Sequence, residues 1–241
     1  MRREERIGDC RLILGDCLEV MKSFPECFRV HSVVTDPPYG VGLTERVTKH
    51  TARSASKNYR DDGDWIVSEI IPRVEYALTL ARTGVVCSGV RWLQKYPHAV
   101  DIGTVFFANG AGRSPFGFGC NNPILFYGKC PYLANGLGSR PNSVSATHWN
   151  SEDVDHPCPK PVKMMEWLVN RGSLKGETIL DPFMGSGTTL VACAKLGRKG
   201  IGIEIDPGYF DIACRRVEEA YRQPDMFVEP PKPAEQLDML K

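Results

Sequence analysis

The sequence predicts an α/β protein built on a mostly parallel sheet of about seven strands, with helices on both faces. Three observations carry that expectation. Short apolar runs at 11–15, 30–35, 178–181 and 200–205 each have a glycine or an acid at or beside their end, and stretches with helical spacing lie among them. In the last third, a strand, Asp181, a glycine-rich turn, a helix, a further strand and Glu204 follow one another in the order of a nucleotide-binding unit. The chain has 241 residues, enough for one large domain or one domain with a small insertion.

The elements follow in order. Arg11-Leu12-Ile13-Leu14-Gly15 reads as a strand, and Cys17 to Ser23 as a helix with Leu18, Val20 and Met21 apolar. Val30 to Thr35 is a second strand with Asp36 at its end, and the helix between them makes a parallel crossover. Residues 40–63 are polar and aperiodic, a long loop of the kind that tends to be functional. Asp64 to Ala81 has a helical pattern that Pro72 must start, kink or break. Gly84 to Cys87, Ile102 to Ala108 and Pro123 to Tyr127 read as strands. Pro161 opens a helix with Met164, Met165, Leu168 and Val169 on one face and Gly172 as its stop. Asp206-Pro207 is a cap-plus-proline start for a last helix carrying Tyr209, Ala213, Val217 and Ala220 at helical spacing. From Gln223 onward four prolines mark a tail, 223–241, outside the fold.

Bulk properties exclude some classes. A hydrophobic fraction of 42% and a charged fraction of 24% are those of an ordinary globular protein. No apolar run approaches the roughly 18 residues that span a bilayer. The charged start, Met1-Arg2-Arg3-Glu4-Glu5-Arg6, does not read as a signal peptide, so an intracellular protein is expected. The nine cysteines include no C-x-x-C pair and suit free thiols rather than disulfides or zinc. Net charge is only +1, but Arg46, Lys49, Arg53, Lys57 and Arg60 lie in 15 residues without an acid. That stretch reads either as a solvated loop or as an arm contacting phosphates.

Chemistry enters with two segments. Around Asp181-Pro182-Phe183 and Gly185-Ser186-Gly187, glycines would let backbone approach a ligand, and Glu204, 19 residues beyond Gly185, would reach ribose hydroxyls. A phosphate-binding loop is excluded, because no lysine follows Gly187. A dinucleotide fingerprint needs a third glycine where position 190 is leucine. The other segment is Asp36-Pro37-Pro38-Tyr39. An exocyclic amine of a nucleobase is a poor nucleophile, because its lone pair is delocalised into the ring. A carboxylate and a carbonyl on a backbone stiffened by two prolines can accept both N–H groups and localise that pair. Tyr39 could stack on the base, offsetting part of the few kcal/mol that extruding it from a duplex costs. On its own the segment also suits a turn that happens to hold two prolines.

Taken together, the motifs resemble the beta group of DNA amino-methyltransferases, which act on adenine N6 or cytosine N4. Gly15-Asp16-Cys17, Asp36-Pro37-Pro38-Tyr39, His156-Pro157-Cys158-Pro159-Lys160-Pro161, the segment Asp181 to Thr189, and Gly202-Ile203-Glu204-Ile205 occur in that group's order and frame nearly the whole chain. The resemblance implies a Rossmann-like, circularly permuted class I methyltransferase fold over residues 1–222, with a target-recognition insertion at about 88–150. It implies S-adenosylmethionine as cofactor, held by Asp181, Pro182, Phe183, Gly185, Ser186, Gly187 and Thr188. Glu204 would take the ribose hydroxyls, Ile205 would also contact the cofactor, Asp16 and Cys17 would face the adenine, and His156, Pro157 and Lys160 would line the methionine end. Asp36, Pro37, Pro38 and Tyr39 would be catalytic, with direct transfer favoured to adenine N6 and cytosine N4 as the alternative. Double-stranded DNA is the implied partner, met through Arg46, Lys49, Arg53, Lys57, Arg113 and Arg140, with aromatics such as Trp92, Phe116 and Tyr132 as further candidates. A homodimer is a further candidate assembly. The Gln-led peptides in the tail, at Gln223 and Gln236, resemble those that dock on bacterial sliding clamps. The setting implied is a bacterial cytoplasm and, for such enzymes, DNA methylation within restriction–modification. A dinucleotide-dependent oxidoreductase is the reading from a different class; Asp36-Pro37-Pro38-Tyr39 and Leu190 speak against it.

Overall fold

The computed structural model describes residues 3–39, 63–108, 113–114, 116–146 and 160–222. The basic stretch 46–60, His156, Pro157 and the tail from Gln223 fall outside the described residues.

The strands are β1 (Arg3–Ile7), β2 (Cys10–Leu14), β3 (Val30–Thr35), β4 (Ala81–Cys87), β5 (Asp101–Phe106), β6 (Arg113–Ser114), β7 (Gly117–Phe118), β8 (Asn121–Gly128), β9 (Val144–Ser145), β10 (Thr178–Asp181) and β11 (Lys199–Glu204). Nine of them form one sheet in the order β1-β2-β11-β10-β3-β4-β8-β5-β9, and β6 and β7 make a separate hairpin. The run β2-β11-β10-β3-β4 is parallel throughout, while β8 is antiparallel to both β4 and β5. The sheet is therefore α/β and mostly parallel, as the strand–helix alternation predicts.

Among the described residues, the α-helices of four residues or more are α1 (Cys17–Lys22), α2 (Ile71–Thr79), α3 (Gly89–Trp92), α4 (Pro131–Ala134), α5 (Val162–Gly172), α6 (Thr188–Lys195) and α7 (Pro207–Arg222). They cover both faces, and neighbouring strand residues divide between two cores. Leu12, Val34, Val85, Ile124 and Ile179 face α5, α6 and α7, with Met164, Met165, Leu168 and Val169 buried against them. An adjacent residue in each strand, Ile13, Val33, Val86, Leu125 and Leu180, faces α1 and α2. Burial on both sides explains why these strands read as continuous apolar runs rather than alternating ones. A π-helical segment, Ile66–Ile70, precedes α2. Pro72, with no N–H to donate, sits in the first turn of α2, so the irregularity expected at this proline falls just ahead of it. No helix among the described residues is long and apolar enough to cross a membrane.

Two differences from the sequence expectation stand out. The sheet has nine strands rather than about seven, because the two-residue β9 and the charged edge strand β1 join it. Its residues Arg-Glu-Glu-Arg-Ile show no apolar alternation and are held across to β2 by Glu4–Arg11 at 2.7 Å. Within 88–150, β5 and β8 belong to the main sheet and bury Val105, Ile124 and Phe126. Among the described residues there, α3, the hairpin β6–β7 and the segment around α4 stand outside the sheet.

Candidate active site at the carboxyl edge of the sheet

The parallel strands β2, β11, β10, β3 and β4 all end on one edge, which gathers Asp16, Glu204, Asp181 and Asp36. Ligands of open parallel sheets bind outside such edges. Asp36 follows β3 directly and is half-buried. The Tyr39 hydroxyl donates to Asp36 Oδ1, and Lys160 Nζ lies 3.4 Å from Asp36 Oδ2. The same ammonium sits 4.7 Å from the centroid of the Tyr39 ring, a cation–π distance. Burial, with the Asp36 charge beside it, holds the Tyr39 phenol well above its ordinary range, so it stays a neutral donor. The Trp92 indole N–H donates to the Tyr39 carbonyl at 2.6 Å. Gly89, in the left-handed region at φ +61°, leaves room for that ring; a Cβ there would sit 3.0 Å from Tyr39 Cδ1.

The glycine-rich turn sits beside it. Asp181 is 2% exposed and its carboxylate is fully engaged: Thr35 Oγ1 donates to Oδ1 at 2.7 Å, the Phe183 amide to Oδ1 at 3.1 Å, and Thr189 Oγ1 to Oδ2 at 2.5 Å. Burial pushes this carboxyl up to about 6, against the pull of those three donors. Gly187 adopts φ +81°, and a Cβ on it would fall 2.8 Å from the Ala213 Cβ of α7. Its lack of a side chain thus serves helix packing. Arg216, also from α7, donates to the Ser186 carbonyl, Ser186 Oγ and Thr188 Oγ1 at 2.7, 3.1 and 3.0 Å, which fastens the turn from behind.

Glu204 joins two turns: Gly185 N donates to its Oε2 at 2.9 Å and Asp206 N to its Oε1 at 2.8 Å. Burial raises this carboxyl to about 7 despite those amides. Ile205 beside it is 68% exposed, an unusual setting for isoleucine. Asp16 caps α1 through Leu18 N and Glu19 N at 2.9 and 3.1 Å, and its Oδ2 lies 3.2 Å from Arg73 of α2. Cys17 is buried, and burial followed by the Asp16 charge pushes its thiol up to about 12, so it is no thiolate nucleophile.

A model of the DNA methylase family, the N6/N4 methyltransferases, matches residues 91–215, more than half of the chain. The chain belongs to the DNA methylase family. The type II methyltransferase M.HpaI of Haemophilus parainfluenzae is 26% identical over 245 residues, covering 88% of this methylase and 76% of that protein. Among solved structures, the M1.HpyAVI–SAM complex matches with a TM-score of 0.62 at 21% identity, covering 86% of this chain and 98% of that one. The PvuII DNA methyltransferase, described as cytosine-N4-specific, matches with a TM-score of 0.60 at 18% identity, covering 89% and 92%. These two share the fold with the methylase.

In the methylase, then, Asp16, Cys17, Asp36, Pro37, Pro38, Tyr39, Lys160, the segment 181–188, Glu204 and Ile205 come together at one edge. Lys160 stands on Asp36 itself, a contact the resemblance did not signal. Arg113 lies in the hairpin β6, its side chain outside the described residues. Arg140 is an exposed cation 4.2 Å above the buried Tyr132 ring, which makes Tyr132 a packing residue. Phe116 is fully exposed at the hairpin tip. Sequence reasoning did not single out Thr35, Thr189, Arg73 or Arg216. Their partners lie 146, 8, 57 and 30 residues away, and only the Thr189 pairing is close enough to be read as a helix-turn relation.

Proposed function

We propose that this methylase transfers the methyl group of S-adenosylmethionine to the N6 amine of adenine in duplex DNA, acting on a base turned out of the helix. One observation carries the reading: Asp36-Pro37-Pro38-Tyr39 leaves β3 at the same sheet edge, and beside the same strand β10, as the Gly185–Gly187 turn. The residues present suit the cofactor. Gly185 and Phe183 are half-buried at the edge, Glu204 offers a carboxylate, and the exposed Ile205 offers an apolar face for a purine. When bound, the cofactor supplies an electrophilic methyl on sulfonium.

The chain's own groups then act on the amine. The Asp36 carboxylate accepts one amine N–H and a carbonyl of the Pro37-Pro38 segment accepts the other, moving nitrogen toward a tetrahedral lone pair. The base takes the place of one present partner of Asp36, either the Tyr39 hydroxyl or Lys160. A freed Tyr39 ring can stack on the base, an interaction worth roughly 1–3 kcal/mol. Nitrogen so oriented would take up the methyl that the bound cofactor would supply, the sulfur leaving as a neutral thioether. The methylated amine then loses a proton to solvent, so no covalent enzyme intermediate forms.

Adenine is favoured because an aspartate opens the catalytic segment, the commoner residue of adenine enzymes in the group that this sequence resembles. Purified protein, duplex DNA from methylation-free cells and isotope-labelled cofactor, followed by nucleoside chromatography, test it. Label in N6-methyladenine is expected. Label in N4-methylcytosine overturns the base assignment, and no label in any nucleoside overturns the reading.

A further inference from the structure

A buried carboxylate that already accepts three hydrogen bonds is well suited to act as a tether. Asp181 carries a charge in an almost fully buried position, which is expensive unless donors surround it. The donors it has come from both halves of the site. Thr35 is the last residue of β3, directly before Asp36, and Thr189 lies in the first turn of α6, directly after the glycine-rich turn. The backbone does not make this connection. The ladder between β3 and β10 ends at Leu180↔Val33, two residues short of Thr35, whereas on the other side Thr35 still pairs with Val86 of β4. The catalytic end of β3 is thus tied toward the cofactor turn through a side chain. Both hydroxyl contacts are short, charge-assisted hydrogen bonds in a dry setting, where such bonds are stiff.

We propose that Thr35, Asp181 and Thr189 form a buried latch that fixes the Asp36 acceptor relative to the cofactor turn, and that Thr35 and Thr189 are positioning residues for methyl transfer. The proposal rests on Asp36 being the acceptor. Direct transfer needs nitrogen, carbon and sulfur in line, and a displacement of about 1 Å can cost on the order of 100-fold in rate. Loosening the latch therefore lowers kcat and leaves cofactor affinity nearly unchanged, because the turn keeps its fastenings to Arg216 and Glu204.

The test uses the full-length protein, bulk duplex DNA from methylation-free cells and labelled cofactor. Thr35→Val removes the hydroxyl at nearly constant volume; Thr35→Ser keeps it. Expected for Thr35→Val is a fall in kcat of about tenfold or more with cofactor Kd within about threefold, and recovery to within about threefold of wild type in Thr35→Ser. Thr189→Val loses kcat alike, and the double variant is no worse than the poorer single one, since both act through Asp181. Thermal melts establish that each variant is folded; should Thr35→Val not fold, Thr189→Val with Thr189→Ser carries the same comparison. The latch is overturned by unchanged kcat, by a loss confined to cofactor Kd, by no recovery with serine, or by losses that multiply in the double variant. An inactive wild-type protein would instead remove the proposed function on which the latch rests.

Discussion

Asp181→Asn replaces a buried carboxylate with a neutral side chain of the same shape, and its effect on stability depends on pH in a direction the structure fixes. The carboxyl titrates at about 6 in the folded protein against an ordinary value of 3.8. Burial is the main cause, with a smaller push from Asp36, and the Thr189, Thr35 and Phe183 donors pull the other way. A raised folded value means that the folded state holds the proton more tightly than the unfolded chain. Wild-type stability from this group is therefore greatest below pH 4 and is lost as pH rises from about 4 to about 6. It then stays level. A shift of about two units corresponds to about 3 kcal/mol. The asparagine can still accept from Thr35 and Phe183 while its amide donates to Thr189, so the pH dependence vanishes and the contacts survive. Urea unfolding at constant ionic strength between pH 4.5 and 8 measures the difference between the two proteins. The variant should gain on wild type by about 2 kcal/mol across that range. A difference that is flat with pH, or that favours wild type as pH rises, would refute the account of Asp181 as a desolvated carboxylate.

Three further substitutions probe the frame around the site. Gly187→Ala forces a side chain into φ +81° and against Ala213; a loss of about 2 kcal/mol or more, seen as a fall in Tm of about 5 °C, is expected, and an unchanged Tm would contradict it. Leu168→Ala opens a void under β3 and β4 at a fully buried position, so denaturant titration should show a loss of about 2–5 kcal/mol. Trp92→Phe keeps the ring but loses the indole donor to the Tyr39 carbonyl; kcat should fall by about tenfold with cofactor Kd steady, and steady kcat would show that the contact does not hold Tyr39 in place.

The strand ends were legible because the chemistry there is punctuated. Apolar runs stop at Asp36, Asp181 and Glu204, and prolines or glycines follow at once. Both-sided burial made those strands easy to place, and the same physics hid β1, whose stability as an edge strand comes from cross-strand ion pairs rather than apolar alternation. The apolar face of α5 was readable from its spacing, since packing on β3 and β4 demands it. The latch was not readable. Thr35 and Asp181 are 146 residues apart and meet only because β3 and β10 are neighbours in the sheet. At Gly187 packing adds a demand that the sequence did not show: its missing Cβ makes room for α7. Lys160 was placed by likeness at the methionine end, and in the fold its ammonium faces Asp36 and Tyr39.

The most direct test of Asp36 as the acceptor compares wild type with Asp36→Ala in two measurements on the same preparations. Calorimetric titration gives cofactor affinity, and labelled-methyl transfer to duplex DNA gives the rate. Methyl transfer lost by at least about a thousandfold with cofactor Kd within about threefold is the predicted result. An Asp36→Ala protein that still methylates DNA at a rate near wild type would contradict it.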